Sequence, residues 1–398
     1  MADMRPLLYH ETIPENNVNS ANGFQEFNTI DFLISLDPGR ALKPNSIRIE
    51  YDLQVFTNLG ANPPTRVVAT DNLGYENKIG GHAFFSNFRT ELPQSAGLIE
   101  SITEYGRYVN MVASATMPEE HFYSSHFQAE GRGVLVDNGR FGCQAINPRV
   151  LPVDQGAGAA NGDYTGKATD ARYVIKPLIC VNRSMGGMVS ANKHGPIRIS
   201  VDCARVGDAL FGGGLNGAAN PGYALKNVKV RYQSVPEPAS NPKVLMNTLV
   251  GVKTTMNSQF LNFSTRVPLK ACNGVVFSAM EQSKEVGRLH NSMALERIPK
   301  LDNVQYLFSD ATNKYITYKL EDLQTIVERG LDAMSDSGLN NVNATTMKAN
   351  DGFVAGLGFQ QYLDLSKQKF SIQINSSSNN INTQPRNLYV YFLGLLEA

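Results

Sequence analysis

A run of nine strictly alternating residues constrains the fold most. Ile47, Ile49, Tyr51, Leu53 and Val55 are apolar, and Arg48, Glu50, Asp52 and Gln54 between them are polar. Successive side chains of a strand point to opposite faces, so this spacing predicts a strand with one buried and one solvated face. Ile197, Ile199, Val201 and Cys203 repeat the pattern around Arg198, Ser200 and Asp202. Val228, Val230 and Tyr232 repeat it around Lys229 and Arg231. Val304, Tyr306 and Phe308, and then Phe370, Ile372 and Ile374, carry it into the second half. Leu388 to Phe392 has no polar alternation, which predicts a central strand covered on both faces. With 34 glycines and 19 prolines punctuating these runs, the chain is predicted to be all-β, a sandwich or a barrel.

One segment has a different period. Leu320, Leu323, Val327, Leu331 and Met334 recur every three or four residues, which predicts an amphipathic helix of about four turns. Glu321 and Asp322 stand at its start, where the helix dipole favours acids. Gly330 is expected to weaken it.

The 398 residues are more than one ordinary domain holds; at about 100–200 residues per domain they predict two. The boundary falls at Val235-Pro236-Glu237-Pro238-Ala239-Ser240-Asn241-Pro242, where three prolines make a stiff connector that cannot join a ladder. The expected organisation is an arm over residues 1–25, a first domain over 26–235, a Pro-rich hinge at 236–242 and a second domain over 243–398. Each domain is long enough for an eight-stranded sandwich. The Gly- and Ala-rich stretch from Asp154 to Lys167 reads as an exposed loop.

Charge narrows the function. Lys and Arg total 36, as do Asp and Glu, so the formal net charge is zero. A chain that coats nucleic acid or an anionic membrane carries a basic excess, and this one has none. The arm has one arginine, Arg5, against Asp3, Glu11 and Glu15, so it is not a basic genome-binding tail. Little net charge also leaves little self-repulsion to oppose association. The four cysteines, Cys143, Cys180, Cys203 and Cys272, are far apart and read as buried reduced thiols. Met1 to Ser20 lacks the pattern of a signal peptide, so a soluble, cytosolically made product is expected.

Candidate chemistry is sparse. Gly212-Gly213-Gly214-Leu215-Asn216-Gly217 satisfies G-x-G-x-x-G, but the Pro and Gly that follow oppose a phosphate-binding helix, and a loop is expected. His121 and His126 are five apart, a spacing that shares a face on neither helix nor strand; the other histidines, His10, His82, His194 and His290, are scattered. Glu119-Glu120 and Glu321-Asp322 are adjacent acids of the kind that are usually solvated or capping. Four Asn-x-Ser/Thr triplets begin at Asn182, Asn262, Asn343 and Asn375 and read as chance matches. No residue is assigned a catalytic, cofactor-binding or metal role, and no cofactor is expected.

Several segments resemble the double jelly-roll major capsid proteins of the tectivirus–adenovirus lineage, most of all its virophage and polinton-like branch. They are Lys43-Pro44-Asn45-Ser46 leading into the Ile47 strand, Gly81 to Ser86, Leu98 to Gly106, Ile197 to Arg205, Tyr223 to Tyr232, Val304 to Phe308, and Asn387 to Phe392. The resemblance implies two tandem eight-stranded jelly-roll sandwiches, with the helix at 320–334 inserted in the second. It implies a non-enzymatic homotrimer that forms a pseudo-hexagonal capsomer and tiles an icosahedral virion shell. Its partners would be copies of itself, minor capsid and vertex proteins, and an internal lipid membrane, with no sequence-specific nucleic-acid contact. The alternatives are a minor capsid or vertex protein, and a carbohydrate-binding or cupin-like enzyme built on β-sandwiches.

Overall fold

A computed structural model describes residues 7–16, 23–67, 73–76, 78–116, 129–131, 171–286, 288–309, 314–336 and 352–398. Eight strands make the framework of the first half, with the short strands Arg40–Leu42 and Thr65–Arg66 added to one layer: β1 (Leu8–Thr12), β2 (Thr29–Ile34), β3 (Arg48–Asn58), β4 (Phe85–Leu92), β5 (Gly97–Ile102), β6 (Ala171–Ile175), β7 (Ile197–Cys203) and β8 (Gly222–Pro236). They pair antiparallel in the orders β1–β8–β3–β6 and β2–β7–β4–β5. The second half contributes β9 (Leu245–Met256), β10 (Phe260–Thr265), β11 (Cys272–Glu281), β12 (Leu301–Ser309), β13 (Lys314–Leu320), β14 (Ala355–Leu363), β15 (Lys369–Ser376) and β16 (Arg386–Glu397). Their orders are β9–β16–β11–β14 and β10–β15–β12–β13. Adding eight to every strand number of the first half gives the order of the second. The chain therefore contains the same two-layered sandwich twice.

Alternation drives each layer. In β7 the apolar positions are buried and Arg198, Ser200 and Asp202 face outward, and β15 follows the same rule. Aromatic rings join the layers across each core. Tyr51 of β3 meets Phe85 of β4 edge-on at 5.5 Å, and Phe370 of β15 meets Phe392 of β16 edge-on at 5.2 Å. As expected, Leu388 to Phe392 is central and buried: β16 lies between β9 and β11.

A helix follows the fifth strand in both halves. Two residues separate β5 from α1 (Tyr105–Thr116), and two separate β13 from α2 (Leu323–Asp336). The expected helix at 320–334 is α2, with Leu320 closing β13 instead. The helix expected only in the second half thus has a counterpart in the first. Asp322 caps α2: the Thr325 amide donates to its Oδ1 at 2.9 Å, and hydrogen bonds from Thr325 hold its carboxyl below the usual range. Gly330 is a packing residue. A Cβ there would meet the Ala355 carbonyl carbon and the Gly356 nitrogen at 3.0 Å, so its absence lets α2 lie close against β14.

Three further expectations change. The polar face of β3 is only partly solvated: Glu50 is 2% exposed, covered by Arg231 at 2.7 Å and Arg172 at 2.9 Å. The arm over 1–25 contains β1, whose Leu8 to Thr12 pair with Ser234 to Val230, so that part belongs to the first sandwich. The Gly-rich stretch contains a one-turn helix, Gly213–Asn216, after the short strand Phe211–Gly212. The loop expected at 154–167 lies outside the described residues.

The connector after β8 is tied to the first sandwich. The Glu237 amide donates to the Gly39 carbonyl at 2.9 Å, and Asn241 exchanges two hydrogen bonds with the Met188 backbone. The halves also share a sheet: Ser101 of β5 stands opposite Val250 of β9 in a parallel pair, so β2–β7–β4–β5 continues into β9–β16–β11–β14. One apolar core cluster runs through both.

Candidate functional site: the seam between the sandwiches

A grouping of buried charge lies where α1 of the first half meets β9 and β16 of the second. The turn into α1 sets the approach. Glu104 has a left-handed backbone (φ 52°), and its carbonyl accepts from the Tyr391 hydroxyl at 2.8 Å. Thr103 Oγ1 donates to the Gly251 carbonyl at 3.1 Å, and a Cβ on Gly251 would come within 2.7 Å of that hydroxyl. Gly251 is thus where β9 lets the first half come close.

Arg107 projects from α1 into this seam, 1% exposed. Its guanidinium carbon is 3.9 Å from the centre of the Tyr389 ring, with Glu104 at 3.5 Å and Glu285 at 3.8 Å. None of its nitrogens makes a hydrogen bond. Burial alone would lower its pKa, but Tyr389, Glu104 and Glu285 outweigh that and raise it, so it stays charged. Glu285, in the short helix Gln282–Val286, balances it. Burial pushes the Glu285 carboxyl up, whereas Arg107, the Lys253 ammonium at 2.6 Å and the Asn387 amide hold it down at about 2.

A second group extends the seam along β5. Arg183 donates to Glu100 Oε1 at 2.9 Å and to the Tyr108 hydroxyl at 2.9 Å, while the Cys180 amide donates to Glu100 Oε2 at 2.7 Å. Burial raises the Glu100 carboxyl against the pull of Arg183. Tyr108 packs on Tyr391 at 5.3 Å, and Asn110 Nδ2 donates to the Met293 carbonyl at 2.7 Å. Arg183, Glu100, Tyr108 and Cys180 bond one another within the first half, and Tyr108 and Asn110 carry the contact across to Tyr391 and Met293. The arrangement ties the two sandwiches to each other.

The other residues singled out in the sequence do not converge here. His10 stacks on Tyr232 at 4.9 Å, His82 contacts the Tyr105 hydroxyl at 2.9 Å, and His194 Nδ1 accepts from the Ser190 amide at 3.0 Å. His290 is exposed. His121, His126, Glu119, Glu120, Cys143 and Asn343 lie outside the described residues. Asn182 is buried and bonded to the backbone of Ile47 and Pro177, so it is a structural amide. Asn262 lies on β10, and Asn375 on β15 donates to Asn303. Cys180, Cys203 and Cys272 are free and buried, and burial raises all three thiols, that of Cys272 to about 12. Among the described residues no three His, Cys, Asp or Glu stand together in a metal-binding group, and no helix is long and apolar enough to cross a membrane. Sequence reasoning missed Arg107, Glu285 and Tyr389. No local spacing links them, and only the strand order brings them together.

No protein-family model matches the sequence, and no curated protein matches it. Solved structures do. The chain is similar to the Faustovirus major capsid protein over 100% of its own length and 92% of that chain, with a TM-score of 0.58 at 10% identity. A chain of the Sputnik virophage gives 0.57 at 8% identity over 99% of this chain and 86% of that one. The mavirus major capsid protein gives 0.52 at 8% identity, over 98% and 90%. The duplicated sandwich, the shared sheet and this end-to-end superposition together show that the chain has the double jelly-roll fold of viral major capsid proteins.

Proposed function

We propose that this chain is a viral major capsid protein, a non-enzymatic subunit that assembles with its own copies into the shell of a virion. The observation that carries this reading is coverage: the similarity to coat subunits spans both sandwiches, and not one module alone. The seam supports it, because a subunit that must present the same surfaces in every copy needs its two halves in fixed relation. In this reading residues 26–235 and 243–398 are the two building units, joined through 236–242, with Leu8–Thr12 added to the first. Three copies form a pseudo-hexagonal capsomer, and capsomers tile an icosahedral shell alongside minor and vertex proteins. Light scattering on the purified protein is expected to give a species near three times 43.6 kDa. A stable monomer at high micromolar concentration would overturn the reading.

A further inference from the structure

β9 and β16, the first and last strands of the second sandwich, pair in a register that sets Lys253 opposite Tyr389 and Thr255 opposite Asn387. Alternation puts these four side chains on one face. The Glu285 carboxylate, 4% exposed, reaches that face, and its two oxygens take different partners. Oε1 lies 2.6 Å from Lys253 Nζ, and Oε2 accepts from Asn387 Nδ2. Thr255 Oγ1 donates to Asn387 Oδ1 at 2.8 Å, so both ends of that amide are assigned by their neighbours. An amine, a carboxylate and a polarised amide therefore stand in sequence. These are the groups an amine needs to displace ammonia from a side-chain amide: a base beside the nucleophile, the same carboxyl beside the leaving nitrogen, and a donor on the carbonyl oxygen. The neighbouring pair of Lys284 with Glu296 shows the contrast. There the second carboxylate oxygen takes Arg386, which offers no carbonyl carbon to attack.

We propose that Lys253 and Asn387 condense into an isopeptide bond that ties β9 to β16, with Glu285 as the proton carrier. Lys253 Nζ gives a proton to Glu285 and attacks Asn387 Cγ, while the carbonyl electron pair moves onto Oδ1 under the Thr255 hydroxyl. Glu285 delivers the proton to Nδ2, the Cγ–Nδ2 bond breaks, and the carbonyl re-forms as ammonia leaves. The lysine nitrogen sheds two protons in all: the first reaches Nδ2 through Glu285, and the second departs with ammonia as ammonium. Nothing is oxidised or reduced, and Glu285 ends as the carboxylate it began. The Arg107 guanidinium at 3.8 Å remains its counter-ion once the lysine charge is gone. Lys253 is 39% exposed, which leaves ammonia a way out. Its loss to solvent makes the step one-way, so a slow reaction suffices. The bond closes a loop from the first strand of the second sandwich to its last, and so removes freedom from the unfolded chain over nearly that whole sandwich. This is a property of the single chain and does not rest on the coat reading.

Intact-mass spectrometry of the full-length protein, purified and held at pH 9, tests this. A loss of about 17 Da, the mass of ammonia, is expected, and digestion is expected to yield one branched peptide joining Lys253 to Asn387. The loss is expected to build up faster at pH 9 than at pH 7, because the amine attacks only after shedding a proton. Lys253→Arg keeps the charge without the primary amine and is expected to keep the full sequence mass. Thr255→Val, which removes the donor on the carbonyl oxygen, is expected to slow the loss by about a hundredfold. An undiminished mass after prolonged incubation of the unsubstituted protein overturns the proposal, whatever the variants do. A loss that persists in Lys253→Arg overturns it as well, since it would mark cyclisation of an asparagine elsewhere.

Discussion

The Arg107 guanidinium of the first sandwich lies over the Tyr389 ring of the second, 3.9 Å from its centre and without a hydrogen bond of its own. A buried cation held by a ring face and two carboxylates at 3.5 and 3.8 Å depends on all of them at once.

Removing that cation leaves buried Glu285 with Lys253 and Asn387 as its near partners and Arg205 at 4.0 Å. Arg107→Ala is expected to lower stability by about 3–5 kcal/mol, the range for breaking a buried ion pair from one side. Differential scanning calorimetry checks this. A melting temperature unchanged from the parent would mean that the seam does not hold the halves together.

Acid acts on the same cluster from the other partner. The Glu285 carboxyl is held at about 2, below its ordinary 4.5, so its contribution is complete above pH 4.5 and is lost as pH falls towards 2. Glu285→Gln is expected to cost on the order of 3 kcal/mol at pH 7 and to flatten the stability profile between pH 4.5 and 2. Thermal melts across that window give both numbers.

Gly330 separates helix propensity from packing. In an isolated helix, Ala is favoured over Gly by about 1 kcal/mol. Here the new methyl would meet the backbone of Ala355 and Gly356 at 3.0 Å. Gly330→Ala is therefore expected to destabilise by about 1–3 kcal/mol, measured by urea titration. A stabilised variant would show that α2 can ride away from β14 at no cost.

Deleting residues 1–12 removes β1, the His10–Tyr232 stack and the ion pairs of Glu11 with Lys229 at 2.9 Å and Arg231 at 3.2 Å. A loss on the order of 2–4 kcal/mol is expected, from the cross-strand pairs and their hydrogen bonds. Full stability after deletion would return this segment to the status of a loose arm.

Strands such as β7 and β15 are legible because one face is solvated and the other is not, which writes a period of two into the residues. α2 is legible for the same reason at the helical period. α1 is not. Tyr105, Tyr108, Val109, Met111 and Val112 are buried because both sandwiches cover the helix, and its polar Arg107, Asn110 and Ser114 are buried with them, so no solvated face marks its turns. β1 is five residues long, and its outward Tyr9 is apolar, which breaks the alternation. The seam was beyond reach for another reason. Arg107, Glu285 and Tyr389 are neighbours only once β16 lies between β9 and β11, and nothing within a local window records that order.

The central position of β16 has a consequence for synthesis. β9 and β11 do not pair with each other; each pairs with β16, whose residues Arg386–Glu397 leave the ribosome after every other strand described. The first sandwich is complete once Pro236 has emerged, so it can fold while the rest is being translated. The second must wait for Arg386–Glu397. A nascent chain interrupted before Arg386 holds one finished sandwich and one without its middle strand, and it has no Tyr389 to receive Arg107. Folding of the second sandwich thereby reports that translation has passed β16.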